Sequence, residues 1–168
     1  MRRSLAAALL LAPVCLAPAG AQEAERRTAV FELELHDTSG EGAAPAHAKR
    51  IALVSAELRR LVDASPAYAV IDTAPVAARM AERLPLRGCN GCELDFGRDL
   101  GAELVVTATI QKISTLILSV QIVMRAVADG RVVAVGTADI RGDTDAAWLH
   151  GVRWLGRNRL GLGREKAG

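Results

Sequence analysis

Two cysteines stand close together in the stretch Arg87-Gly88-Cys89-Asn90-Gly91-Cys92-Glu93. A Cys-x-x-Cys pair can anchor a haem, supply half of a metal site, exchange disulfides, or close a small covalent loop. Haem attachment requires a histidine directly after the second cysteine, and Glu93 occupies that place. A zinc site needs about four donors. The remaining candidates, His36, His47 and His150, fall in distant segments, so no metal is expected. Thiol exchange has a physical basis. Asn90 can cap a following helix with Glu93 as the reciprocal partner of a capping box. Cys92 would then sit in the first turn, where the dipole favours thiolate. Against this, the pair lies between two helical patterns and not at the strand-to-helix junction of a thioredoxin-like site. An intramolecular Cys89–Cys92 disulfide that ties the helix joint is the simpler expectation. Whether such a bond also exchanges stays open.

The other short motifs are weaker. Ser39-Gly40-Glu41-Gly42 follows the first strand but lacks the Lys-Ser/Thr of a phosphate loop, and reads as a plain loop. Arg141-Gly142-Asp143 reads as a strand end leading into the last helix, with Asp143 or Thr144 as N-cap. Serine, histidine and aspartate all occur, but nothing places them together and no nucleophile-elbow sequence is present. No catalytic residue is therefore assigned, and no cofactor is expected.

A broader candidate emerges from strand patterning. Glu32 and Glu34, then Thr107, Thr109 and Gln111, then Ser119, Gln121 and Arg125, fall on the polar sides of their strands. A sheet covered by helices on both faces reads instead as continuous apolar runs. One face should be partly open. It is either a solvated face or a partner surface, and Glu32, Glu34, Thr107, Thr109, Gln121 and Arg125 are the residues that would make the contact.

The elements that must position these residues follow from periodicity. Residues 29–37 alternate, with Phe31, Leu33 and Leu35 facing one way and Glu32, Glu34 and His36 the other, which predicts one half-buried strand. Ile51, Val54, Leu58 and Leu61 form a helical stripe across 46–64. Residues 65–72 read as a turn and a short strand. Thr73 is the expected N-cap of the next helix, with Pro75 in its first turn. A short helix follows Cys92 and ends near Gly101. Three strands come next, with Asp129-Gly130 as a hairpin signal between the last two. Trp148, Val152 and Leu155 mark the apolar stripe of the final helix. The order β-α-β-α-α-β-β-β-α predicts an α/β fold (mixed α+β) with a single mixed five-stranded sheet and about four helices.

The chain opens with Arg2-Arg3, an apolar run from Leu5 to Leu11, and Ala19-Gly20-Ala21. That is the pattern of a secretory signal peptide, residues 1–21, cleaved after Ala21. Pro13-Val14 before Cys15 does not fit a lipobox. Loss of Arg2 and Arg3 lowers the 21 basic residues to match the 19 acidic ones, so the mature chain is formally neutral. It has no basic footprint for nucleic acid, and no second apolar run long enough to span a membrane. Residues 22–28 should be a flexible mature N-terminus, 29–162 a single α/β domain, and 163–168 a C-terminal tail. The expected location is the periplasm, where two remaining thiols favour a disulfide.

Several stretches carry a resemblance: "VFELELHDTSGEG", "LVDASPAYAVID", "CNGCELDFGRDLGAELVV", "IQKISTLILSVQI" and "DIRGDTDAAWLHGVRWL". Together they resemble an uncharacterised family of small exported bacterial proteins, most specifically in CNGCE and RGDTDAAW. More distantly, the element order, the unit from Leu61 to Asp72 and the unit from Leu100 to Val106 resemble the amino-terminal domain of TolB and the related LpoB and CsgG-type domains. The resemblance implies a TolB-amino-terminal-like fold and a non-catalytic binding or assembly role with another envelope protein as partner. The Cys89–Cys92 pair departs from those relatives. It leaves a second reading, a thiol-active accessory factor for a periplasmic metalloenzyme or quinoprotein.

Overall fold

The computed structural model describes residues 24–42 and 44–162. The signal-peptide and C-terminal-tail expectations lie outside those residues. Six strands form one mixed sheet: β1 (Arg26–Val30), β2 (Glu34–Asp37), β3 (Tyr68–Ile71), β4 (Leu104–Lys112), β5 (Ile117–Ala126) and β6 (Val132–Arg141). Their spatial order is β3-β1-β4-β5-β6, with β2 continuing the path of β1 beside β4. β1, β2 and β3 run parallel to their partners, whereas β4, β5 and β6 form an antiparallel meander. The helices are α1 (Ala46–Asp63), α2 (Ala77–Ala81), α3 (Cys92–Asp99) and α4 (Asp145–Asn158), with 3-10 turns at Ala74–Val76 and Leu86–Gly88.

The main core lies between one sheet face and the α1/α4 pair. Val54, Leu58 and Leu61 of α1 and Trp148, Val152 and Leu155 of α4 meet Val106, Ile110, Val120 and Ile122 of the sheet. A smaller cluster on the opposite face joins Ala29, Phe31 and Val105 to Leu86, Leu94 and Phe96. α3 approaches the sheet closely there: a Cβ on Gly97 would lie 2.5 Å from a Val105 methyl. Helices thus cover one face fully and the other only at its β1/β4 end. Past Val105, the second face of β4 carries Thr107, Thr109 and Gln111, none fully buried.

The single strand expected over 29–37 is two strands, and the sheet has six strands where the pattern predicted five. Val30 pairs with Val106 and Glu34 with Thr109, so three residues, Phe31 to Leu33, oppose two on β4. This is a bulge, and a one-residue slip moves every later side chain to the other face. Phe31 enters the smaller cluster, whereas Leu33 enters the main core. The unbroken face of Phe31, Leu33 and Leu35 does not form. α1 takes up the backbone groups that the bulge frees: Ser55 Oγ accepts from the Leu33 amide at 2.9 Å, and Arg59 Nε donates to the Val30 carbonyl at 3.3 Å.

The N-terminal boundary also differs. β1 starts at Arg26, inside the segment expected to be flexible. Arg26 to Ala29 pair with Tyr68 to Ile71, and the Arg27 amide donates to Glu103 Oε2 at 3.0 Å. Backbone pairing overrides the polar composition of that stretch.

Candidate functional site

The open part of the second face holds a cleft of about 300 Å³. Thr107, Thr109, Gln121 and Val123 make its floor, Glu32 and Glu34 one wall, and Leu86, Arg87, Asn90, Gly91 and Glu93 another, with Arg125 at the end. All six residues singled out on the polar strand sides therefore line one cavity. The sequence treated the cysteine loop as a separate candidate. The structure makes Asn90 and Gly91, between the two cysteines, part of the same cleft.

The loop's local form follows from its residues. Cys89 and Cys92 are joined as a disulfide with their Cα atoms 5.7 Å apart. Between them Asn90 has φ 46° and Gly91 φ 105°, both left-handed. Glycine adopts that region without penalty, and asparagine tolerates it better than most residues. Gly91 rather than Asn90 is the N-cap of α3, and no side chain caps that end. The expected capping box does not form, because Glu93 turns to Arg125 instead, whose Nη1 donates to its carboxylate. Arg125 Nε also donates to the Gly130 carbonyl at 2.9 Å.

Glu34 is held as well. Its carboxylate accepts from the amide of Leu86, from that of Arg87 at 3.3 Å, and from Arg87 Nη1 at 3.4 Å. It is a strut that fixes the wall. Glu32, Thr107, Thr109, Gln121 and Asn90 differ: among the described residues their side chains make no hydrogen bond or ion pair. The cleft thus combines fixed walls with an unpaired carboxylate, two hydroxyls and two amides.

Both bulges of the sheet border this site. The first contains Glu32. The second lies where Met124 pairs with Ala134 but Arg125 pairs with Val132, leaving Val133 as the extra residue. Bulges bend a strand and re-aim side chains, and are frequent beside binding sites. Here each coincides with a charged cleft residue.

The other sequence motifs build structure. Asp143 pairs with His47 Nε2 at 2.8 Å and with Arg50 Nη1, while Asp145 pairs with Arg50 Nε at 2.7 Å. The Arg50 guanidinium lies 5.2 Å from the centroid of Trp148, and the His47 ring stacks against the same indole. Thr144 is the N-cap of α4, its hydroxyl accepting from the Ala147 amide at 3.2 Å. The RGDTDAAW stretch therefore clamps α4 to α1. Only its cap was legible locally, since His47 and Arg50 lie on a distant helix.

The 39–42 loop is anchored in a similar way. The buried Lys112 Nζ donates to Glu41 Oε2 at 2.8 Å, to Ser39 Oγ at 3.1 Å and to Asp37 Oδ2 at 3.3 Å. Hydrogen bonds from Ser39 and then Lys112 lower the Asp37 carboxyl to about 2. Those from Lys112 and then Thr115 lower Glu41 to about 2. Glu57 is lowered to about 2 by Arg60 and then by Arg153, a second tie between α1 and α4.

Cys89, Cys92 and Glu93 bring their ligand atoms within 4.8 Å of one another. With the sulfurs bonded to each other and Glu93 held by Arg125, that group does not present the deprotonated donors a metal needs. His36, His47 and His150 sit apart on β2, α1 and α4.

A family model matches residues 26–160, which include the whole cleft and the disulfide. The chain belongs to the family DUF3280, described as a protein of unknown function (DUF2380). No curated protein matches the sequence. Among solved structures the fold is similar to the LpoB C-terminal domain from Salmonella enterica, with a TM-score of 0.52, 14% identity, and coverage of 73% of this chain and 87% of that one. The LpoB C-terminal domain from Escherichia coli gives a TM-score of 0.52 at 13% identity, with the same coverage of 73% and 87%. The NMR structure of E. coli LpoB gives a TM-score of 0.51 at 12% identity, covering 72% of this chain and 59% of that one. At these identities the likeness shows the fold. The mixed α/β architecture of this DUF3280 member is thus LpoB-like, with six strands and four helices among the described residues. No described helix is long and apolar enough to cross a membrane.

Proposed function

We propose that this protein is a non-catalytic binding module of the bacterial cell envelope, exported to the periplasm, whose cleft docks another envelope protein. The observation that carries the reading is the contrast within the cleft: its walls are pinned by Glu34–Arg87 and Glu93–Arg125, while Glu32, Thr107, Thr109, Gln121 and Asn90 stay unpaired. Fixed walls around solvent-facing polar groups with no intramolecular partner suit a specific contact in which charge sets selectivity and encounter rate. The secretory pattern of residues 1–21 supports export. The LpoB-like fold supports an envelope role by analogy alone.

A photo-crosslinking amino acid placed at Gln121 tests the reading in cells. It should give one discrete adduct with an envelope protein, recovered in the periplasmic or membrane fraction and identified by mass spectrometry. The same probe at Arg157, on α4 and away from the cleft, should not give that adduct. No adduct from position 121, or the same adduct from both, rejects cleft docking.

A second reading keeps the thiols active, because the disulfide loop itself forms a cleft wall. Titration with dithiothreitol at controlled potential separates the two. A bond that resists reduction at the poise of mild reductants is structural, and one that opens there is an exchange site.

A further inference from the structure

We infer that the cleft receives a basic side chain, lysine or arginine, presented by the docked protein, with Glu32 as its counter-ion. This deepens the docking proposal and rests on it. Three carboxylates and two guanidinium groups line the cavity. Both guanidinium groups are already engaged, Arg87 with Glu34 and Arg125 with Glu93. One negative charge, that of Glu32, is left over. An anionic partner group would meet this excess with no free cation to receive it, whereas an ammonium or guanidinium group would neutralise it.

The neutral groups are compatible with this but do not choose the sign of the guest, since the Thr hydroxyls and the Gln and Asn amides donate as well as accept. The hydroxyls of Thr107 and Thr109 and the carbonyl ends of Gln121 and Asn90 all accept hydrogen bonds. Lysine and arginine side chains carry only donors. A cleft of about 300 Å³ is large enough to take one long side chain. Among the described residues the lining holds no aromatic on which a sugar ring or a base could stack, so the inventory favours a charged, hydrogen-bonding side chain over a flat ligand. The bulge at Phe31–Leu33 supplies the geometry. Without the extra residue, Glu32 would be displaced from the face that carries Thr107 and Thr109.

The test uses defined probes on the whole mature protein with its disulfide intact. Acetyl-Gly-Arg-Gly-amide, acetyl-Gly-Glu-Gly-amide and acetyl-Gly-Gln-Gly-amide are titrated against nitrogen-15-labelled protein at low salt. The arginine peptide should shift the amides of Thr107, Thr109 and Gln121 saturably, and the other two should not. Glu32→Gln should weaken the arginine peptide by about 1.5- to 5-fold, the range of an exposed ion pair. Glu82→Gln, an exposed carboxylate outside the cleft, should leave it unchanged. Glu32→Lys should turn preference to the glutamate peptide. The inference is overturned if the three peptides act alike, if none shifts the cleft amides, or if Glu32→Gln has no larger effect than Glu82→Gln. A cleft adduct from position 121 with no arginine preference rejects the basic side chain and keeps docking. An arginine preference with no adduct rejects docking, and with it the docked partner as source of the side chain.

Discussion

Replacing Asp143 by alanine removes the acceptor that joins α4 to His47 and Arg50, and the structure gives the size of the loss. The Arg50 side chain is 9% exposed and so is that of Asp143. Breaking a buried pair by deleting one partner costs about 3–5 kcal/mol, because the surviving charge is left desolvated. Arg50 is not stranded completely. Asp145 still holds its Nε at 2.7 Å, and the Trp148 ring still faces its guanidinium. Asp145 is 63% exposed, so its attraction is screened by water. The expected cost of Asp143→Ala therefore falls below that range, at about 2–3 kcal/mol, with a fall in Tm of roughly 6–10 °C for a domain of this size. Arg50→Met should cost less, since Asp143 keeps His47 and the methionine fills the stem volume over Trp148. In the double variant the two losses should not add, giving a coupling above about 1 kcal/mol. Urea unfolding followed by tryptophan fluorescence measures all three. A cost below about 1 kcal/mol for Asp143→Ala with an unchanged m-value, or additive losses in the cycle, would refute the clamp.

Three further outcomes follow from the packing and charge network. Trp148 is fully buried, so Trp148→Ala should cost about 3–5 kcal/mol in urea unfolding; an unchanged midpoint would place the indole outside the core. Gly97→Ala should lower the midpoint by about 1–3 kcal/mol despite alanine's better helix propensity, because the new methyl would meet Val105 at 2.5 Å and Val127 at 2.9 Å; a gain in stability would show that α3 sits further from the sheet. Asp37 and Glu41 fall from 3.8 and 4.5 to about 2 on folding, so the stability they contribute is present above those unfolded values and is lost as pH drops from about 5 towards 2. Lys112→Met should flatten that acid slope, and an identical slope in wild type and variant would rule out the Lys112 cluster as a source.

Much of the fold was legible because its signals are local. The stripe of α1, the Asp129-Gly130 hairpin and the Thr144 cap each rest on residues a few positions apart, and each is present. The bulge was not legible, since it depends on the register of β1 and β2 against β4, set by a segment some 75 residues on. The same holds for charge. Glu93 has Asn90 as its nearest local cap, yet binds Arg125 on β5. Glu34 has the pattern of a solvated strand residue, yet holds the amides of Leu86 and Arg87. The six residues that alternation grouped all line the cleft, but strict alternation is not the reason for Glu32: the bulge brings it beside Thr107, where an unbroken register would place it opposite Ala108 on the core face. Alternation could not divide them into struts and free groups, a difference made by residues from α3 and the turn before it.

That division explains why the cysteine pair and the polar strand face belong to one site. Two consecutive left-handed residues, one of them not glycine, are a conformation that an open chain leaves easily. The disulfide closes a short ring around them, which removes much of the freedom the loop would otherwise have. Glu34 fixes the chain just before the ring through Leu86 and Arg87, and Arg125 fixes it just after through Glu93. The ring is therefore held at both ends by charged residues of the sheet, and its middle is the cleft wall. A bond that only tied two helices together would not need both anchors to come from the open face. If the cleft docks a partner as proposed, binding and the state of the disulfide are physically linked: a change that frees Asn90 and Gly91 alters the cavity that Glu32 lines, while the main core lies on the opposite side of the sheet.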